Sequence, residues 1–534
     1  MRTTLACALM LGTVAAAAQP TTVSFDFEDP AQFGQWLADI EDWRIEDGAL
    51  RQPLAGLHHT YCFLPQAFSD VTVEARFFIH DSGAGVRAPG LIYRAASEDR
   101  FYYVHYDSKN SQVVWVREEP GLGWTAENTR RHRVTIAPEQ WHTARAQVEG
   151  ATHHIYLDGE ELFTVEDDKI PAGVVGLRAG QGDISFDDFT ATGTSAELEE
   201  EFTVTRIPFT TVCEDAGAGA YEAFPDVCRT TAGELLVVFY AGYGHVSFPR
   251  DDLPNGARIC MVRSRDDGRT WGPPEVVVDT PLDDRDPSIT QLSNGDLLVT
   301  FMTYSKDRSP THEVFTTRSS DNGATWGEPQ AVPVIFDGNQ AVSEPVTELT
   351  DGTLLLPIYG SYADRAKKGS PCGVLISRDS GATWPEHVIL EPVAGENLHE
   401  PSIEPLPDGR IYMLIRPVMM WSQSTDGGVT WAEPQRFPIV GHAPYLLLTS
   451  QKVLLVGFRH PPTRSTSLAW SADLGETWHG PELVDNVVGG YPSMVELPDG
   501  RIIFVYYTEG AGSDIRCVFL RATPEAVEVL PKEE

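Results

Sequence analysis

A carboxylate and a guanidinium stand sixteen positions apart in the stretch His399–Arg416, HEPSIEPLPDGRIYMLIR, where Glu400 lies at the start and Arg416 at the end. Apolar residues flank the PDG turn on both sides, the pattern of two antiparallel strands joined by a tight hairpin. A hairpin returns to where it began, so Glu400 and Arg416 share one edge of a sheet. Such a pair is either a structural ion pair or half of a sugar-acid site, because a guanidinium fork matches a carboxylate. The hairpin recurs. Its copies start at Phe224-Pro225, Asp286-Pro287, Glu344-Pro345, Glu400-Pro401, Ala443-Pro444 and Tyr491-Pro492, so Asp286, Glu344, Glu400 and Tyr491 occupy equivalent places.

The elements that must position these residues are also repeated. The unit S-x-D-x-G-x-T-W occurs at Ser264–Trp271, Ser319–Trp326, Ser377–Trp384, Ser424–Trp431 and Ser471–Trp478, with tryptophans 55, 58, 47 and 47 positions apart. That is the period of a four-stranded propeller blade. Asp accepts hydrogen bonds from the turn, Gly supplies a positive φ, and Trp plugs the space between sheets; these are folding devices. Six hairpins with five such turns predict six blades, the last closed by residues near 205–212 or 515–522. Strand parity then puts hairpin starts, hairpin ends and the connections to third strands on one face. Asp252, Asp286, Glu344, Glu400, Arg416, Arg459, Arg464 and Tyr491 belong to that set.

Upstream, residues 19–195 carry alternating segments such as VTVEARFFIH, FYYVHYD and THHIYLDG, broken by Gly, Asp and Pro turns. They predict an antiparallel β-sandwich. Residues 196–204 are an acidic connector, and the propeller occupies 205–534. The all-β chain of 534 residues carries a formal charge of −37, which disfavours nucleic acid and anionic membrane surfaces as partners. Residues 1–18 have the form of a cleavable secretory signal, and no other stretch is long enough to span a bilayer. An exported protein, secreted or periplasmic, is expected. Beyond Cys7 in that signal, six cysteines permit disulfides in an oxidising compartment but show no zinc-ligand spacing, so no metal is expected.

The five S-x-D-x-G-x-T-W units and the hairpins over roughly 205–525 resemble the sialidase (neuraminidase) superfamily of Asp-box, or BNR-repeat, propellers. FEDP near the start, IYLDGE late and SFDDF at the end of the sandwich resemble concanavalin-like jelly rolls. The first resemblance implies a glycoside hydrolase that removes a terminal sialic acid or related sugar acid from a glycan, without cofactor. It implies Tyr491 as nucleophile, Glu400 as its base, Asp252 as acid/base on the loop before the first Asp box, and Arg416 and Arg464 as two of three carboxylate-clamping arginines. A neutral phenol suits a reacting carbon that bears a carboxylate, since an anionic nucleophile would be repelled. Asp286, Glu344 and Arg459 join the list as substrate-binding residues.

The departure is in the first blade, where the family's motif has an arginine and this chain has Ala223-Phe224-Pro225-Asp226. Arg229, Arg250 and Arg459 are the nearby candidates to replace it. The lost arginine also admits a glycan-binding propeller without catalysis. A polysaccharide lyase acting on uronic acids is a third reading, supported by His245, His399 and His442 near the same face.

Overall fold

The structure, a computed structural model, describes residues 20–39, 43–53, 59–80, 87–119, 124–180, 182–198, 200–204, 207–364, 366–463, 465–487, 489–509 and 512–532. The signal-like segment 1–18 and Arg464 lie outside the described residues. The remainder is almost entirely strand, as the alternation predicts.

The first third is a β-sandwich whose strands run from Thr21–Phe25 to Ile184–Ser195 in one continuous hydrogen-bonded set. Its longest strand, Thr60–Ile79, alternates buried and partly buried residues over Val71–Ile79 and pairs with Trp141–Glu149, Gly173–Ala179 and Ile184–Ser195. A strand with that pattern covers a core with one face.

Six further sheets form a six-bladed propeller. Blade 1 begins at Tyr221–Arg229, blade 2 at Asp283–Gln291, blade 3 at Gln340–Ala341, blade 4 at His399–Pro405, blade 5 at His442–Leu448 and blade 6 at Gly490–Glu496. Blade 6 takes an edge strand from Thr210–Cys213, which pairs with Ile515–Ala522 in the register Thr210↔Cys517. Both segments expected to close the ring therefore do so, because the propeller's first strand covers an edge of a strand near its end.

The Asp-box turns show how five short motifs hold the blades. In the first, Asp266 accepts from Ser264 Oγ, the Thr270 amide and the Thr270 hydroxyl at 2.8, 2.9 and 2.6 Å, while Gly268 N donates to Ser264 Oγ at 2.8 Å. The other four turns repeat these contacts. Each Trp packs into an apolar cluster between neighbouring blades. The cluster between blades 5 and 6 is continuous with the core of the sandwich. There Asn486 Nδ2 donates to the His59 carbonyl at 2.9 Å, so the sandwich is fastened to the loop that leads into Tyr491.

Candidate active site

The hairpin starts share a backbone device. Phe224, Asp286, Glu400, Ala443 and Tyr491, each the residue before proline, have φ of 54, 48, 48, 49 and 47°. Proline disfavours the helical region for its predecessor, and a side chain in the left-handed region is itself strained, at a cost of order 1–3 kcal/mol each. The strain is held by a β-bulge: pairing skips from Ala223 to Asp226, Arg285 to Ser288, His399 to Ser402, His442 to Tyr445 and Gly490 to Ser493. A bulge re-aims side chains. Phe224, Asp286, Ala443 and Tyr491 accordingly line one central crevice with Glu344, and its volume of about 10 Å³ is at the threshold for one water.

Three expected site residues meet beside this crevice. The Tyr491 phenol donates to Glu400 Oε1 at 2.8 Å and accepts from Arg416 Nη1 at 2.8 Å. The same Arg416 nitrogen lies 3.0 Å from Glu400 Oε2, closing a triangle. Arg459 places its guanidinium 5.4 Å from the Tyr491 ring centre. Its Nε donates to the Gly489 carbonyl at 2.6 Å and its Nη2 to Tyr507 at 3.1 Å. Burial pushes the Tyr491 phenol well above its usual pKa, and Glu400 adds to the rise while Arg416 and Arg459 oppose it. The resting phenol is therefore protonated, with its proton aimed at a carboxylate.

The other expected residues are placed differently. Asp286 lies on the crevice wall, and burial raises its carboxyl to about 6 despite the neighbouring Arg285. Glu344 is buried in the same wall, which also raises its pKa, and hydrogen-bonds Ser402. Asp252 is exposed and pairs with Arg250 at 2.7 Å; among the described residues it shares no hydrogen bond or ion pair with the Tyr491 group. Of the arginines weighed as replacements for the first-blade cation, Arg229 pairs with Asp267 of an Asp-box turn, Arg250 lies over Tyr243, and Arg459 reaches Tyr491. His245, His399 and His442 are held below the usual imidazole range, chiefly by burial.

Two groups were not legible in the sequence. Arg285, beside the bulge residue Asp286, is buried with carboxylates of Asp283 and Asp286 each 3.5 Å away. Its signal was the R-D-P order, since a bulge brings consecutive residues toward one side. The second group is aromatic: the Phe224 ring centre lies 5.1 Å from Tyr491, 5.3 Å from Tyr507, 5.4 Å from His245 and 5.6 Å from Tyr240. Glu509 accepts from Tyr221 and Tyr507 at 2.8 Å each, supporting this wall from behind.

Comparison with known proteins agrees with the fold. Residues 255–502 match the BNR repeat-like domain, and residues 21–192 match the 3-keto-alpha-glucoside-1,2-lyase-like domain. A sialidase of Bacteroides fragilis (strain YCH46) is 24% identical over 208 residues, covering 35% of this chain and 36% of that protein. The match thus spans little more than a third of that relative's length. A Hadza microbial sialidase superposes with a TM-score of 0.52 at 16% identity, covering 89% of this chain and 98% of its own. The leech intramolecular trans-sialidase superposes with a TM-score of 0.48 at 14% identity, over 87% and 94% of the two chains. Five Asp-box turns, six closed blades and the BNR-repeat match together fit a sialidase-like superfamily of propellers, with the β-sandwich ahead of it in the chain.

Proposed function

We propose that the chain is an exo-glycosidase that acts on a terminal sugar of a glycan through Tyr491 and Glu400. The resemblance supports a sialic acid or related sugar acid as that sugar. The observation that carries the reading is the triangle of Tyr491, Glu400 and Arg416, in which one phenol donates to a carboxylate and accepts from a guanidinium.

In the first step the Tyr491 oxygen bonds to the anomeric carbon as the glycosidic bond breaks. The phenol proton passes to Glu400, and the leaving oxygen takes a proton from Asp252. Because burial opposes a free phenolate, proton transfer accompanies attack, and Arg416 offsets charge on both oxygens as it moves. In the second step water attacks the tyrosyl sugar, giving its proton to Asp252, while Tyr491 leaves and recovers its proton from Glu400. The sum is hydrolysis with retention of configuration. Arg416, Arg459 and Arg464, with Asp286 and Glu344 around the crevice, are assigned to substrate binding.

Aryl glycosides test this. Tyr491→Phe and Glu400→Gln are each expected to lower kcat by at least about 10²-fold with little change in thermal unfolding. A Tyr491→Phe variant that turns over as fast as the wild type refutes the mechanism. Asp252→Asn is expected to affect substrates with poor leaving groups most, because those need the proton. The ion pair of Asp252 with Arg250 favours a second reading, a propeller that binds glycans without cleaving them. Under that reading no aryl glycoside releases its alcohol, even one with an activated leaving group.

A further inference from the structure

Residues 243–257 connect Leu235–Gly242 to Arg258–Ser264 in blade 1, and residues 305–311 connect Leu297–Tyr304 to His312–Ser319 in blade 2. Gly242 pairs with Tyr221 and Tyr304 with Asp283, both at the starts of first strands, so the two loops share the face of the hairpin starts. Together they carry a row of rings. Tyr243 is 37% exposed, and Phe248, Tyr304 and His312 are half-buried. The Phe248 ring centre lies 5.5 Å from that of Tyr304, which stacks on His312 at 4.6 Å. Lys306 Nζ is 5.0 Å from the Phe248 ring centre. Exposed His245, 5.4 Å from the Phe224 ring, joins the blade 1 loop to the candidate site. This loop is anchored from below: buried Ser247 donates its amide to Asp283 Oδ1 at 3.1 Å, and its Oγ accepts from the Tyr243 amide at 2.9 Å. Rings on an anchored loop lose little freedom when a ligand arrives. The same loop carries Asp252, whose partner Arg250 lies over Tyr243 with its guanidinium carbon 3.9 Å from the ring centre.

We infer that Phe248 and Tyr304 bind the sugar on the leaving side of the scissile bond, and that the substrate is therefore a chain of at least two sugars. The inference rests on the proposed reaction, in which Asp252 gives its proton to the leaving oxygen. A group protonated by Asp252 lies against the loop that carries Asp252, and that loop presents Phe248 beside Tyr304 of the next blade. A pyranose has an apolar C–H face rimmed by hydroxyls. The row supplies ring faces for the first, and Arg250 and Lys306 at its edges supply donors for the second.

The test compares a trisaccharide with a methyl glycoside of the same terminal sugar: 3′-sialyllactose beside methyl α-sialoside, or the matching pair for whichever sugar the aryl glycosides favour. Both leaving groups are alcohols that need a proton, so the pair differs chiefly in the second sugar. The wild type is expected to favour the trisaccharide in kcat/KM by about tenfold or more. Phe248→Ala and Tyr304→Ala are each expected to narrow that ratio at least about threefold, and Tyr304→Phe, which keeps the ring, to retain it. Phe248→Leu and Tyr304→Leu, which keep bulk without a ring face, stand in for an alanine variant that does not melt cooperatively. A merely structural role lowers both rates together, and an unchanged ratio in the folded variants overturns the role of these rings. A wild type that cleaves both substrates equally well, or aryl glycosides but not the trisaccharide, overturns the inference while leaving the roles of Tyr491 and Glu400 intact. Turnover of no glycoside overturns both the inference and the reading on which it rests.

Discussion

At the scale of single residues, Arg416 links the phenol and the carboxylate of the site. Glu400 is only 4% exposed, so its charge depends on that partner. Replacing Arg416 by Met leaves a buried carboxylate unpaired, a loss of about 3–5 kcal/mol. The rate on the best aryl glycoside is expected to fall with it. Arg416→Lys keeps the charge and restores part of that loss, but one ammonium cannot reproduce both guanidinium contacts, so the rate stays depressed. A kcat/KM of Arg416→Met that matches the wild type would show that Glu400 does not depend on it. Part of this arrangement was legible in the sequence: a hairpin returns on itself, so Glu400 and Arg416 had to be neighbours. That Tyr491, 91 positions from Glu400, would donate to it was implied by resemblance and not by any local pattern.

At the scale of elements, the Asp box stabilises a blade by satisfying a turn's backbone from a single carboxylate. Asp379 accepts from the Thr383 hydroxyl and amide and from Ser377 at 2.6, 2.9 and 2.7 Å, and these bonds lower its pKa to about 2. Asp379→Ala removes all three acceptors far from Tyr491. A fall of roughly 2–6 °C in Tm is expected, with kcat/KM on the best aryl glycoside preserved. Calorimetry checks it, and an unchanged Tm would make the motif a passenger of the fold. The bulges are a different kind of element. Their X-Pro pairs were visible as repeats, but a left-handed residue before proline contradicts local preference. Only pairing on both sides of the bulge holds it there.

For the whole molecule, two sets of carboxylates set the response to pH in opposite directions. Asp226 and Asp284 are raised to about 7 and Glu222 to about 8, each chiefly by burial. A raised folded pKa gives stability that is complete below the unfolded value near 4 and is lost as pH rises through 7 to 8. Asp321 and Asp379, lowered to about 2 by hydrogen bonds from Thr325 and Thr383, work the other way. Their stability is present above pH 4 and is lost as pH falls toward 2. A formal charge of −37 at pH 7 adds self-repulsion on the alkaline side. Tm is therefore expected to peak between about pH 4 and 6 and to decline toward pH 8. Asp226→Asn should flatten that decline, since it removes a group whose ionisation inside the protein costs on the order of 4 kcal/mol. A Tm that climbs steadily to pH 8 would contradict this balance.

The sequence by itself determined the architecture. Five copies of S-x-D-x-G-x-T-W and six X-Pro hairpins carry period, turn chemistry and plug residues within short windows, and each acts through local hydrogen bonds or a neighbouring blade. The all-β class, the six blades and the closure of the ring by both ends of the propeller follow from that spacing. What only the tertiary structure decided is which charges are spent. Arg285 is matched by two aspartates, Arg459 is turned toward Gly489 and Tyr507, and Asp252 faces Arg250. The residues at the centre of a propeller come from blades far apart in the chain, and whether a buried cation is free or neutralised depends on side chains from several of them at once. No periodicity records that sum. It appears only when the bulges of different blades aim Phe224, Asp286 and Tyr491 at one crevice and leave an aromatic ring where a guanidinium was expected.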